Sequence, residues 1–435
     1  MLEAAENASP VEALEAVTRE LGAALRARAV SFLIADFSGR GLVRLAHITR
    51  DPGYAAEDTP IYERRRHADE SAEGVPFDGG LAEQAMRTQT VQVLAPAAPS
   101  DEDRRAAVWT VLAPVTERGE VLGLLEMKLP AEPGADVLAE VAATAHVLAF
   151  VVIANRRHTD LFEWAQRSTA FTLAAEIQRR LLPAAMTCEA GAFTLSAWLE
   201  PADHVGGDSF DYSVGRDMLH VSMTDAMGHG IASALTATLC LGSLRNTRRK
   251  GATLLEQAAA ANAALIEQAA DGVEAFATGL LCSLDLLTGT LALVNAGHVL
   301  PFLARAGEVT RLELPADLPF GLFADTTYRC TELALEPGDR LVLVTDGMLE
   351  RNAATLDLVA AIFDTSALHP RETTRCLADS VLAVAGAELV DDATLLVLDW
   401  HGGHGDRAGG GRATASGADF RRGANSTGGA TKSVR

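Results

Sequence analysis

The 435-residue chain is short of cysteine, of positive charge and of long apolar runs. Its five cysteines, Cys188, Cys240, Cys282, Cys330 and Cys376, are scattered, odd in number and form no CxxC pair. That spacing excludes a disulfide framework and a structural zinc site, and leaves them as small buried hydrophobes. Thirty-seven Lys and Arg stand against 58 Asp and Glu, a formal net charge of −21. This balance argues against a broad electrostatic grip on nucleic acid or on an anionic membrane. No uninterrupted apolar run reaches the ~18 residues of a membrane span, because Val147–Ala154 is followed at once by Arg156, Arg157 and His158. The acidic start, MLEAAENASPVEALEAV, has no basic segment leading into an apolar one. It does not read as a signal peptide, and the expected location is cytoplasmic.

What is present is ample apolar material, 48% of residues, enough for two or three domains at ~100–200 residues each. Val11, Leu14, Val17, Leu21 and Leu25 recur at helical spacing. VSFLIAD (30–36) and LVRLAHI (42–48) read as strands. Residues 49–74 are a charged excursion, and GGLAEQAMRTQTVQVL (79–94) reads as a short helix and a strand. TVLAPVTERGEVLGLLEMKL (110–129) is a hairpin, and VLAEVAATAHVLAFVVIANRR (137–157) a long helix. This order, with LAPV…GEVLGLLEM and GGLAEQAMRTQTVQV as its best segments, resembles a GAF domain over about residues 10–155. The resemblance implies an α/β sensor domain (1–155) with a small-molecule ligand, or a scaffold serving only dimerisation. No Cys or His in it is placed for a bilin or a haem.

Phe162, Ala165, Thr169, Leu173, Ile177 and Leu181 continue a single apolar stripe, so 156–183 is expected to be a helical linker. Pro183 ends it. A one-faced helix between domains must bury that face, and a homodimer seam or the next domain's surface would do so. From Ala192 on, apolar alternation gives strands interrupted by two Ala-rich helices, GIASALTATLCLGSLRN (230–246) and LLEQAAAANAALIEQ (254–268). The expected class is α+β, with two packed sheets flanked by helices over 184–400. Residues 401–435 are Gly-rich and aperiodic, and are expected to be disordered. Their excess of Arg and Lys makes them an inert tail or a weak basic tether.

Four acidic motifs stand out: Asp208 in HVGGDSFDY, Asp225 in TDAMGHG, Asp346 in LVTDGML, and Asp391-Asp392 in VDDATLLVL. Asp225 and Asp346 end strongly apolar strands with no Lys or Arg beside them. A carboxylate there is costly unless something positive neutralises it. Hard oxygen ligands point to Mg²⁺ or Mn²⁺. Each Asp-Gly pair alone could merely cap a turn; four such motifs in order do not read that way.

EIQRRLLP, HVGGDSFD, DAMGHG, NAGHVLP (295–301), TDGMLE and DDATLLVL, taken together, resemble the SpoIIE/RsbU branch of the PPM (PP2C-like) phosphatases over about residues 165–400. That resemblance implies a protein serine/threonine phosphatase with two Mn²⁺ or Mg²⁺ ions and a phosphorylated signalling protein as substrate. An anti-sigma-factor antagonist is one such protein. By residue, the resemblance implies that Asp225 bridges the two ions, with the Ala226 carbonyl as a further ligand. Asp208 serves one ion, while Asp346 and Asp391, or its neighbour Asp392, hold the other. A water shared by the ions would attack phosphorus in line. His229 either protonates the leaving serine oxygen or orients its loop. Asn295 and His298 fix the NAGH turn, and His204 lines the cleft. Two other readings remain: a catalytically inactive signalling adaptor, and a small-molecule phosphohydrolase.

Overall fold

The computed structural model describes residues 1–36, 41–49, 75–76, 79–96, 108–166, 172–201, 206–269, 275–349, 356–385, 389 and 391–403. The excursion at 50–74, His204 and the tail from 404 lie outside these.

The N-terminal part runs α1 (Leu2–Asn7), α2 (Ala13–Ala24), β1 (Ala29–Ala35), β2 (Gly41–Thr49), β3 (Val75–Pro76), α3 (Leu81–Thr88) and β4 (Gln92–Leu94). The hairpin β5 (Trp109–Glu117) and β6 (Glu120–Leu129) follows, then α4 (Ala135–Asn155). Its strands form one sheet of order β3-β2-β1-β6-β5-β4. The hairpin is the one the sequence predicts. Glu117 pairs with Glu120 across a two-residue turn whose Arg118 and Gly119 have φ of 44° and 81°. Positive φ at both positions matches the right-handed strand twist, so the chain reverses tightly here. Val17 and Leu21 of α2 and Val141, Ala145, Leu148 and Val152 of α4 bury against Phe32, Ile34, Val111 and Met127 of the sheet.

Helix α4 corrects one expectation. Over its 21 residues it is long and apolar enough to cross a membrane by length and composition, with mean hydropathy 2.2. Asp136, Glu140, Thr144 and His146 interrupt the apolar run, so counting uninterrupted residues misses it. Its buried stripe packs against β5, as in the core helix of a layered domain.

The linker also differs from the single helix expected. It breaks into α5 (Leu161–Ala165) and α6 (Leu173–Leu181). The chain leaves the helix at residues 156–160, where the Leu161 amide donates to the Thr159 hydroxyl at 3.1 Å ahead of the new helix. Phe162 and Ala165 bury in the N-terminal core, whereas Ala174 packs on Ala234 of the C-terminal part. The one apolar stripe therefore serves two cores.

The C-terminal part contains two antiparallel sheets. One has order β15-β12-β11-β10-β9, the other β14-β13-β16-β17-β8-β7. The strands are β7 (Thr187–Glu189), β8 (Phe193–Glu200), β9 (Asp208–Val214), β10 (Met218–Ala226), β11 (Ala277–Asp285), β12 (Thr290–Ala296), β13 (Phe302–Arg305), β14 (Glu308–Arg311), β15 (Cys330–Ala334), β16 (Arg340–Val344) and β17 (Ala393–Trp400). Helices α7 (Ile231–Arg249) and α8 (Leu254–Ala269) interrupt the first sheet, and α9 (Leu358–Asp364) and α10 (Pro370–Ala385) the second.

Period-two alternation explains the layers. Leu341 and Leu343 face Phe210, Met223 and Leu280 between the sheets. Val342 and Val344, one residue out of phase, face Ile362, Leu377 and Val381 of α9 and α10. Leu281 and Val294 likewise face Cys240, Leu244 and Leu265 of α7 and α8. A strand covered on both faces reads as a near-continuous apolar run, and LVLV (341–344) is one, with Arg340 at its start held by Asp399. The C-terminal half is thus the expected pair of sheets with helices outside. Strands β7, β9, β14 and β15 are too short or too polar to be read from sequence. His401–Gly403, assigned from sequence to the tail, belong to the fold: the His401 amide donates to the Ala192 carbonyl at 2.8 Å.

Candidate metal centre

Antiparallel register brings the first two acids together. Asp208 opens β9, Asp225 is the penultimate residue of β10, and the two are direct cross-strand partners. Directly opposed side chains leave the same face of the sheet, ~5 Å apart. The other sheet delivers the rest at the same end of the sandwich. Asp346 follows β16, and Asp391-Asp392 precede β17.

Asp208 is 2% exposed and ties the sheets together. Its Oδ2 accepts from Thr345 Oγ1 at 2.7 Å and from Thr394 Oγ1 at 2.6 Å. Thr345 directly precedes Asp346, and Thr394 stands two residues beyond Asp392. The Thr394 amide in turn donates to Thr345 Oγ1 at 3.0 Å. Burial, with Asp225 and Asp392 nearby, pushes the Asp208 carboxyl well above the usual range, and the two threonines only partly oppose this. The site is short of positive charge.

Asp392 is 1% exposed; Asp391 is exposed and accepts the Asp392 amide at 2.8 Å. Asp392 Oδ1 accepts from the Gly206 amide at 3.0 Å, and its Oδ2 from Gln178 Nε2 at 2.5 Å. Two glycines make this approach feasible. A Cβ on Gly206 would lie 2.5 Å from the Asp392 carboxylate, and one on Gly207 2.1 Å from the Ala226 carbonyl oxygen. Asp225 and Asp346 are half-buried.

The other predicted residues divide. His229 is exposed in the loop after Ala226. Asn295 and His298 form the closed turn that the sequence implies. Asn295 Oδ1 accepts the His298 amide at 2.7 Å, and Asn295 Nδ2 donates to the His298 carbonyl at 3.0 Å. His298 Nδ1 pairs with Thr278 Oγ1 at 2.7 Å, and burial lowers its imidazole to about 4. It is a neutral structural histidine.

Sequence reasoning missed Gln178. From α6 its amide donates both to the Asp208 carbonyl at 2.9 Å and to Asp392. Lying off the apolar stripe of EIQRRLLP, it reads from sequence as a solvated amide. It also missed Arg245, whose Nη2 donates to the Leu181 carbonyl at 2.5 Å and to Asp211 Oδ1 at 2.7 Å, so pinning the end of α6.

Divalent cations fit here. Asp225 and Asp392 both act on Asp208, and neither Lys nor Arg does so among the described residues. Backbone carbonyls and carboxylates are hard donors. Among the described residues no three His, Cys, Asp or Glu side chains are already gathered around one point. The Asp208 and Asp392 carboxylates accept from Thr345, Thr394, Gln178 and Gly206. The residues able to close on cations are Asp208, Asp225, the Ala226 carbonyl, Asp346 and the Asp391-Asp392 pair. Gln178→Ala should raise the Mn²⁺ concentration for half-saturation about tenfold or more, because outer-shell partners typically carry 10–100-fold in metal affinity. Isothermal titration with Mn²⁺ measures this, and an unchanged isotherm would remove Gln178 from the site.

Residues 215–401 match the family model described as Stage II sporulation protein E (SpoIIE). The chain is 26% identical over 235 residues to the phosphoserine phosphatase RsbU of Bacillus subtilis (strain 168), covering 52% of this chain and 68% of that protein. It is 24% identical over 192 residues to the phosphoserine phosphatase RsbP of the same organism, covering 43% of this chain and 46% of that protein. Among solved structures, the RsbU and RsbW domains of Rv1364c from Mycobacterium tuberculosis align at 25% identity and a TM-score of 0.43, over 48% of this chain and 62% of that one. The match begins after Asp208 and includes Asp225, Asp346, Asp391 and Asp392, so Asp208 joins the set by geometry alone. Residues 215–401, which carry four of these acids, thus form a SpoIIE-type (PP2C-like) phosphatase domain similar to those of RsbU and RsbP.

Proposed function

We propose that the chain is a metal-dependent phosphatase removing phosphate from phosphoserine or phosphothreonine in a signalling protein inside the cell, under control of its N-terminal part. The observation that carries the reading is the opposition of Asp208 and Asp225 across β9–β10, with Asp392 brought in from the other sheet. The relatives' activity, phosphoserine hydrolysis, agrees with it. An anti-sigma-factor antagonist is the substrate class we assign.

Two Mn²⁺ or Mg²⁺ ions bound to these acids would supply an activated water and neutralise charge on the phosphoryl oxygens. The chain's own part is placement. Asp225, aided by the Ala226 carbonyl, would hold both ions; Asp208 would serve one, and Asp346 with the Asp391-Asp392 pair the other. Thr345 and Thr394 hold Asp208 in register, and Gln178 and Gly206 orient Asp392. His229, exposed in the loop after Ala226, donates the proton that the leaving serine oxygen takes up.

The single N-terminal sheet, with α2 and α4 packed on it, supports a GAF-like sensor for a small molecule. Its signal reaches the acids through α6, since Gln178 lies on that helix. Leu173, 63% exposed at the start of α6, gives the linker an apolar surface for a homodimer seam.

The test is phosphate release from phosphoserine peptides and from small phosphate esters, with and without Mn²⁺. Metal-dependent release favouring the peptide supports the reading. Preference for the free esters would make the protein a small-molecule phosphohydrolase, and no release from either would make it an adaptor. Chelation should also lower the melting temperature, since a ligand at 100 times its Kd contributes about 2.7 kcal/mol. Calorimetry with and without chelator reads this.

A further inference from the structure

The linker is not the only bridge between the two parts of the chain. The β5–β6 turn and α3 seat directly on β7 and α10. The Glu189 amide donates to the Arg118 carbonyl at 2.9 Å, and the Thr187 amide to Glu120 Oε2 at 2.7 Å. Arg371 of α10 donates to the Gly119 carbonyl at 3.1 Å and to the Arg87 carbonyl, at the end of α3, at 3.1 Å. Its Nε is buried with no hydrogen-bond partner among the described residues. Ion pairs flank this centre: Arg87 Nε to Glu372 Oε2 at 2.8 Å, and Arg375 to Glu83. The fit is close, since a Cβ on Gly119 would lie 2.6 Å from the Glu189 carboxylate.

We propose that this contact is a clasp by which the N-terminal part acts on the metal centre through α10, and that it loosens when Glu120 ionises. The proposal deepens the phosphatase reading and rests on it for its consequence, though not for the clasp itself. Helix α10 packs on β8 and β17. It ends at Ala385, six residues before Asp391, and β17 starts directly after Asp392. Because α10 packs on β17, a shift of α10 is delivered through that strand to the Asp391-Asp392 pair that precedes it.

The chemistry at Glu120 gives the clasp its sign. Burial raises this carboxyl to about 7, opposed by the Thr187 and Met186 amides, the Thr187 hydroxyl and Arg156. Around it stand Glu117, Arg118, Cys188, Glu189 and Tyr212, and Arg371 lies on the α10 side. His369 pairs with Glu189 at 3.1 Å and is a second titratable group in the contact. With the parts separated, Glu120 returns to the ordinary carboxylate value near 4.5. The docked form thus holds a proton that the separated form releases. Docking is most favourable below pH 4.5, weakens as pH rises toward 7, and stays weak above it.

The test is amide hydrogen exchange of residues 187–189 and 370–385 in the full chain, corrected for intrinsic rates, from pH 5 to pH 8.5. The Mn²⁺ half-saturation is measured alongside. In the unsubstituted chain, protection should fall about tenfold across this range, and the Mn²⁺ requirement should move with it. Glu120→Gln keeps an acceptor for the Thr187 amide but cannot ionise, so its protection should stay flat. Arg371→Met should lower protection at every pH. Constant protection in the unsubstituted chain, or the same decline in Glu120→Gln, overturns the proposal. Because exchange is read without catalysis, failure of the phosphatase reading would show separately, as absent phosphate release with the clasp intact.

Discussion

Asp225→Ala should abolish Mn²⁺-dependent hydrolysis of p-nitrophenyl phosphate, lowering kcat/KM by at least about 10³-fold, or about 4 kcal/mol of transition-state stabilisation. Asp225 stands opposite Asp208 and next to the Ala226 carbonyl, so in the proposed site its loss removes the carboxylate that would span the two cations. The same substitution should leave the metal-free protein at least as stable as before. Asp225 contributes to the charge crowding that raises Asp208, and alanine relieves it. Steady-state kinetics and thermal melts in chelator separate the two effects. An active Asp225→Ala enzyme, or one that fails only because it unfolds, would count against the site. A stable, inactive variant also suits capture of the phosphorylated partner.

Arg340→Ala should be the most destabilising substitution outside the site, at about 3–5 kcal/mol. Arg340 is 4% exposed. It forks onto Asp399 at 2.6 and 2.8 Å, and also donates to the Thr365 carbonyl at 2.9 Å, Thr373 Oγ1 at 2.7 Å and the Leu368 carbonyl at 2.6 Å. One guanidinium thus satisfies the loop between α9 and α10 and fixes the start of α10 to β16. Removing it strands Asp399 and several buried acceptors. Urea denaturation should show a lower midpoint with an unchanged slope. Arg340→Met with Asp399→Val should be less destabilised than Arg340→Ala, because removing both charges leaves neither unpaired.

Much of this was legible along the chain. β10 (Met218–Ala226) and β17 (Ala393–Trp400) fall where alternation and apolar runs place them, and the β5–β6 turn falls at Arg118-Gly119. The acids were legible because a carboxylate ending an apolar strand conflicts with burial, and that conflict is local. The linker misled because α5 and α6 share one apolar period while burying it in different cores. Helix α4 misled because Glu140 and His146 interrupt a run whose average is still apolar. Gln178 carries no local signal, since an amide on a polar helix face reads as solvated until its partners are known.

The sequence by itself determined which residues alternate into strands, where the chain turns, and which acids are too costly to bury alone, because each of these follows from neighbours within a few positions. Only the tertiary structure decided that Asp208 meets Asp225 across two strands, that Asp392 rather than Asp391 turns into the buried cluster, that Gln178 joins α6 to that end of the sandwich, and that Arg371 joins the N-terminal part to α10. Strand register and sheet stacking set these contacts, and both arise from burial summed over the whole domain rather than from any single segment.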